Sequence, residues 1–426
     1  MVASRFRRIG SVVALTTLFG ALGIQAPPAA ADPVANQVLA WNEIAYREMF
    51  VVKNLPPPVA VLNFAIMHAA VYDAVNAIEG GYEPYLGAPA VADGEDSVNA
   101  AAVEAAYRTL VAFVQSPSAQ LATDYSNAIA HIRAHEGDTA TDGGIEVGQA
   151  AATEIIGPRA AESRANSTLF TTGTGAGDWQ AFSGNNFRWL ADIDPFLIEQ
   201  AEDFATNGPR RLGSAEYAAE FNQVKSLGRK TQSTRSVDQT QAALFWADHP
   251  IAMWTRIFQN LADGQDLTTT ESARYFAMLY LTGSDALIAC FLDKEHHGFW
   301  RPQTAIRNAG ADGNPNTAAD PVWESLLGNP PYPEHPSGHN CISASMVATL
   351  QDFFGTDVMS FGDTSTATAT IPAITRQFSS FSQVIKEIRK ARVWGGLHFM
   401  SADAQGANLG RKVANYRDEH YFGPVA

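Results

Sequence analysis

Apolar residues recur along this chain with a period near 3.6, and alternating apolar–polar runs are scarce. The pattern predicts helices over 36–52, 59–78, 97–114, 118–134 and 144–156, the last stopped by Gly157-Pro158. The 59–78 segment is apolar almost all round, which marks a central helix, and Pro58 suits its first helical position. Residues 164–195 are rich in Gly, Thr, Ser and Asn and read as a long loop. Helices resume over 214–228, 236–246 and 250–262, and a long segment runs from Thr270 toward Trp300. Residues 311–336 are irregular. A helix follows the Ser337-Gly338-His339 turn to Phe354, residues 355–372 are polar, and helices return at 374–392 and 400–417. About five helices per half predict an all-α protein of two packed helical bundles. We divide it as 32–210 and 211–426, with a boundary somewhere in 165–213.

The first 31 residues have the pattern of a secretory signal. Arg5, Arg7 and Arg8 precede an apolar stretch from Ile9 to Ile24, and Ala29-Ala30-Ala31 offers a cleavage site. The stretch is broken by Gly, Ser and Thr, which disfavours a membrane anchor. No later stretch reads as a span. The expectation is an exported chain, secreted or periplasmic. The whole sequence has 29 basic and 44 acidic residues, net −15. Removing the signal deletes three Arg and no acid, which leaves 26 against 44, net −18. That sign disfavours nucleic acid or an anionic membrane as the main partner. It leaves room for a small anion at a local basic cluster. Two cysteines, Cys290 and Cys341, exclude a disulfide scaffold and a multi-Cys zinc site. Free thiols and a single disulfide both remain open.

Three segments carry chemistry. In the first, Lys294 and Arg301 stand seven apart; on a continuous helix both would point the same way, and Pro302 would turn the Arg301 guanidinium inward. Alone, the pair reads rather as two surface cations on a solvated helix. The second is Pro331-Tyr-Pro-Glu-His-Pro-Ser337-Gly338-His339. Ser337 can cap, Gly338 permits close approach, and a helix N-terminus offers N–H groups to an anion. His339 on the first turn can exchange a proton there. In the third, Arg392 lies before the Gly395-Gly396 break and His398 after it, so both can turn to one pocket. A neutral His398 nitrogen can attack phosphorus or ligate a metal oxyanion. Asp403 is a candidate to hold its other nitrogen, and Asp248 and Asp403 are candidates to orient Arg392. Two Arg, one Lys, a hydroxyl, a glycine N–H and two His together suit an oxyanion with about three charges to neutralise.

The order Lys-x6-Arg-Pro, Pro-Ser-Gly-His and Arg-x5-His resembles the superfamily of vanadium-dependent haloperoxidases and type 2 phosphatidic acid phosphatases. The resemblance implies an all-helical fold with the oxyanion site in the C-terminal bundle. It implies that Lys294, Arg301, Ser337, Gly338 and Arg392 bind the oxyanion. His398 would then be the vanadate ligand, or the phosphorylated nucleophile of a phosphatase, and His339 the acid–base group. Ala391 stands where the family usually has Ser. The implied cofactor is vanadate, or phosphate in a phosphatase. The implied partners are hydrogen peroxide, halide and a small organic acceptor, or a phosphomonoester. Three features favour the peroxidase: Phe299-Trp300 beside Arg301, an exported chain, and a large N-terminal half. A non-catalytic oxyanion-binding protein would keep the cations but lose a histidine, and both are present. His296, His297 and His335 flank these motifs and are equally readable as surface groups. The resemblance also brings Cys290 and Cys341 near the site, where a disulfide would brace it.

Overall fold

The structure, a computed structural model, describes residues 35–425 apart from 163, 165, 166, 182, 369 and 370. The expected signal segment lies outside the described residues. Five helices form the N-terminal bundle: α1 (Gln37–Tyr46), extended by a π-turn over Arg47–Val52, α2 (Pro57–Glu79), α3 (Val98–Phe113), α4 (Ala119–Glu136) and α5 (Asp138–Ala160). Then come α6 (Ala215–Leu227), α7 (Val237–Phe245), α8 (Pro250–Gly264), α9 (Thr269–His297) and α10 (Pro302–Arg307). The chain ends with α11 (Gly338–Phe354), the short antiparallel strands β1 (Phe361–Thr364) and β2 (Thr375–Phe378), α12 (Phe381–Trp394) and α13 (Met400–His420). The all-α architecture of two packed bundles is as the periodicity predicts.

Local chemistry sets the helix starts. Asn36, Ser97, Ser214 and Ser380 each accept a backbone N–H of the following first turn. Ser236 and Thr268 complete capping boxes with Gln239 and Glu271.

The structure corrects three boundaries. The fifth helix begins at Asp138, not 144, and runs through Gly157-Pro158 to Ala160. Its glycines are contact points: a Cβ on Gly148 would sit 2.8 Å from Glu104 Cβ of α3. Pro158 is tolerated because only one helical bond is lost so near the end. The second helix starts one residue earlier than expected, with Pro56 as cap and Pro57 at the first position. Residues 375–378 form a strand rather than a helix start, with Asp363 opposite Arg376 in the hairpin.

Two helices, α2 and α9, are long and apolar enough to cross a membrane, by length and composition alone. In each, 94% of the most apolar window is buried inside the protein, so they serve here as core helices. The 29-residue α9 packs on α2 of the N-terminal bundle and on α11 and α13 of the C-terminal one. Both bundles therefore share one continuous apolar core. A smaller aromatic cluster around Phe221, Phe299, Trp300, Trp323 and Phe399 lies beside the motif residues.

The long loop before α6 is pinned to the middle of α9. Asp285, fully buried, accepts the backbone N–H groups of Phe196 (2.6 Å), Leu197 (2.6 Å) and Ile198 (3.0 Å). Arg159 donates to the carbonyls of Asp194 and Pro195 just before them. We expect Asp285→Ala to strand three buried donors and destabilise the protein by about 3–5 kcal/mol. Urea denaturation of the two proteins checks this, and Asp285→Asn should lose less.

Candidate active site

Lys294 lies in the last turn of α9 and is fully buried. Its ammonium donates to the carbonyls of Pro333 (3.0 Å), Glu334 (3.1 Å) and Pro336. Burial pulls its pKa down to about 8. The expected continuous helix from Lys294 to Arg301 does not exist. Gly298 adopts a left-handed conformation (φ 50°) that ends α9. The turn that follows is clamped on both sides: Trp179 N donates to Gly298 O, Trp300 N to Gly177 O, and Glu334 N to Phe299 O. Arg301 then caps α10 in the extended conformation that a following proline favours. Convergence with Lys294 thus comes from this turn and not from helical spacing. Arg301 donates to the carbonyls of Tyr332 and Pro333, and to Leu397 O at 3.1 Å.

Arg392 sits in the last turn of α12, and Gly395-Gly396 ends that helix. Gly396 has φ 78° and abuts the Gly228 backbone, so no side chain fits there. The break brings the chain back so that His398 precedes α13. The buried Arg392 donates from Nη1 to Trp246 O at 3.0 Å, while its Nε finds no partner. Burial lowers its pKa to about 10.

His398 Nε2 lies 3.2 Å from Arg301 Nη1. His398 Nδ1 lies 2.9 Å from Glu334 Oε1, which also accepts the Phe399 backbone N–H at 3.0 Å. Oε1 receives two N–H groups, so the ring proton is on Nδ1 and Nε2 keeps its lone pair. Burial, reinforced by Arg301, Lys294 and Arg392, holds His398 well below its ordinary pKa, so the ring is neutral. Glu334, not Asp403, holds the far nitrogen. The sequence reading passed over Glu334, although the Pro-Glu-His-Pro run had singled out its segment. Burial pushes its carboxyl up to about 8, against Arg301 and Lys294.

Ser337 is the N-cap of α11 by position, but its hydroxyl makes no capping bond. It accepts instead from Asn340 Nδ2 at 3.2 Å, and Asn340 Nδ2 also donates to Asp403 Oδ1 at 2.7 Å. Asp248, the other candidate partner of Arg392, is committed to Arg256 at 2.9 Å. Gly338 has room for a methyl, whose nearest atoms would be Leu287 Cδ1 at 3.8 Å and Lys294 Cε at 4.0 Å. Packing does not demand glycine there; its absent side chain leaves a hollow between the α11 N-terminus and Lys294. His339 faces that hollow, its Nε2 buried and unpartnered. Burial and the charges of Arg392 and Arg301 depress its pKa well below the ordinary value. A small cavity of about 40 Å³ leads to Gly338 and His339 past Pro57, Pro58, Phe291 and Tyr332.

The structure therefore brings Lys294, Arg301, Ser337, Gly338, His339, Arg392 and His398 to one place. Among the described residues, none of the three cations has a carboxylate within ion-pair distance. Their partners are carbonyls and a neutral imidazole. Three desolvated positive charges without a counter-charge are costly. Two Arg forks, an ammonium, a hydroxyl and a helix N-terminus form the donor set that a vanadate or phosphate would satisfy. Cys290 and Cys341 lie behind this set as buried free thiols, and Cys290 Sγ donates to Pro336 O at 3.8 Å.

Two predictions follow from this electrostatics. Lys294 is charged below about pH 8 and loses that charge above it, while Glu334 gains a negative charge near the same pH. Both changes oppose an anion. Sulfate keeps a constant charge over this range, so its affinity should be flat below pH 7 and fall by between tenfold and about a hundredfold per unit above 8, as one or both groups must be reprotonated; calorimetric titration at stepped pH reads this directly. Glu334→Ala should free the His398 ring and weaken oxyanion binding about 10–100-fold. Glu334→Gln still accepts both N–H groups and should lose less, as vanadate titrations of the two variants would show.

Residues 274–423 match the family model for the VCPO second helical-bundle domain. Vanadium chloroperoxidase of Curvularia inaequalis is 26% identical over 197 residues, which is 38% of this chain. The match spans 32% of that relative, about a third of its length. The crystal structure of the first bacterial vanadium-dependent iodoperoxidase superposes with a TM-score of 0.77 at 22% identity. It covers 92% of this chain and 99% of the other. A holo-type bacterial vanadium-dependent chloroperoxidase superposes at 0.67 with 15% identity, over 89% and 95% of the two chains. The 274–423 segment, which holds all seven motif residues, thus matches the VCPO second helical-bundle domain, and the chain is similar to vanadium chloroperoxidase and has the fold of the bacterial vanadium haloperoxidases.

Proposed function

We propose that this protein is an exported, vanadate-dependent haloperoxidase that oxidises halide with hydrogen peroxide. Lys294, Arg301 and Arg392 would neutralise the vanadate oxygens, with Ser337 and the Gly338 N–H as further donors. His398 Nε2 would be the metal ligand. Bound vanadate supplies a Lewis-acid centre that polarises peroxide without changing its own oxidation state. The observation that carries this reading is the set of three buried cations with no carboxylate partner around a His398 whose Nε2 lone pair is fixed by Glu334.

The chain's own residues then have separable tasks. Neutral His339, whose Nε2 is buried and unpartnered, would take up and give back a proton at that nitrogen during turnover. The three cations would hold the oxyanion in place by neutralising its charge. The apolar walls of Phe291, Tyr332 and the two prolines keep bulk water from His339. A cavity of about 40 Å³ has room for reactants the size of peroxide and halide.

The test is halide oxidation by the protein after oxyanions have been dialysed away. Iodide and bromide turnover should require added vanadate and reach saturation with it. His398→Ala should abolish that turnover while keeping weaker sulfate binding, because the three cations remain. Absence of vanadate-dependent turnover, with vanadate inhibiting phosphomonoester hydrolysis, would instead establish a phosphohistidine phosphatase. Absence of both activities would leave an oxyanion-binding protein.

A further inference from the structure

Beside the motif segment, at the end of α9, a second group of ligating side chains comes together. Asp293 and His297 are one turn apart near the end of α9, and His335 approaches them from the motif segment. Each offers one ligand atom, and these atoms lie within 4.8 Å of one another. His297 Nε2 is 3.3 Å from Asp293 Oδ1 and has no hydrogen-bond partner. His335 is fully buried, and its Nδ1 is also unpartnered. Thr206 joins the group from the loop before α6. Its hydroxyl donates to Asp293 Oδ2 at 2.5 Å and stands 3.0 Å from His335 Nε2. The backbone N–H of Thr206 donates to the same carboxylate oxygen.

The set is rigid as well as under-satisfied. Gly208 presses so closely on the His297 ring that a Cβ there would sit 2.7 Å from Cε1. Protonation states already suit a cation. Burial, with His297 and Lys294 nearby, holds the His335 imidazole neutral, down to about 3. Burial alone would raise Asp293, but the His297 ring 3.3 Å away and the two bonds from Thr206 keep its carboxyl below the ordinary value. Two imidazoles and one carboxylate, with a hydroxyl beside them, match the donor preferences of Zn²⁺ and its first-row neighbours. The Asp-x3-His spacing places both side chains on one helical face. The side chain of His297 is partly exposed and gives an ion a way in.

We infer that Asp293, His297 and His335 form a binding site for a divalent transition metal of the zinc class, distinct from the oxyanion site. The site ties the end of α9 to the motif segment. Asp293 immediately precedes Lys294, and His335 immediately follows Glu334. A bound ion would therefore brace the backbone that carries both Lys294 and the carbonyls holding it. The inference does not rest on the reaction proposed above, since no group of the site belongs to the oxyanion donor set.

The experiment uses the full chain, chelator-treated and free of vanadate, titrated with Co²⁺ and followed by visible absorption. Saturation at one equivalent is expected, with the intense bands of a low-coordinate Co²⁺ site that Zn²⁺ then bleaches. At about 100 times its Kd, Zn²⁺ should raise Tm by about 3 °C. His297→Ala and Asp293→Asn should each weaken Co²⁺ binding at least tenfold and lose the Tm shift; His297 is near the surface, so its variant should fold. The exposed pair His131 and His135, whose rings are 4.2 Å apart, is the competing place for an ion. His131→Ala should therefore leave the equivalent intact. No saturable binding, unchanged binding in His297→Ala and Asp293→Asn, or loss in His131→Ala would each overturn the inference.

Discussion

The structure depends on keeping three positive charges buried without carboxylates to neutralise them. Lys294, Arg301 and Arg392 are instead held by carbonyl dipoles from Tyr332, Pro333, Glu334, Pro336, Leu397 and Trp246. Carbonyls orient a cation and partly replace its lost water, but they do not cancel its charge. The remaining field is visible in its neighbours. Both His339 and His398 are held neutral by burial with those cations nearby. A carboxylate within ion-pair distance would have stabilised the unliganded protein and removed its reason to bind an anion.

Holding unpaired cations in register needs a stiff frame, and α9 provides it. Its apolar middle is buried against α2 on one side and α11 and α13 on the other. Asp285 at mid-helix fastens the long connection between the bundles. The last turn delivers Asp293 and Lys294 to two different clusters. The N-terminal bundle is thus part of the site's construction: the Pro57-Pro58 start of α2 forms one wall of the path to His339.

Much of this was legible in the sequence, for identifiable reasons. The apolar circumference of 59–78 marked α2 as central. The Pro-Ser-Gly-His run located a helix N-terminus because proline, serine and glycine each restrict the backbone in a known way. The seven motif residues do meet. What misled was reasoning over distance. Lys294 and Arg301 were given one helix because their spacing fits two turns, whereas Gly298 ends the helix between them. Asp403 was weighed as the partner of His398 because it is near in sequence, but the partner is Glu334, 64 residues earlier. Its signal was available: an acid inside a Pro-rich run, one residue before a histidine that also proves buried. The helix expected at 144 began six residues early because its glycines are packing contacts with α3, which local propensity does not reveal. The strand at 375–378 owes its form to pairing with β1, a tertiary choice.

The motif segment itself explains how so many constraints fit in a few residues. Over 333–337 the chain is proline-rich and belongs to no helix or strand, and its neighbouring side chains serve different clusters. Glu334 turns to His398 and Phe399, and His335 turns to Thr206 and the end of α9. The carbonyls between them, having no ladder to join, are free to accept from Lys294 and Arg301. Proline contributes here by what it lacks: without N–H groups at 333 and 336, the segment presents more acceptors than donors to its surroundings. An excess of carbonyl oxygens is what buried cations require, and the helix that starts at Gly338 supplies the complementary excess of N–H groups on the anion's side. The polarity of the backbone thus reverses within two residues, and the proposed oxyanion site lies at that reversal.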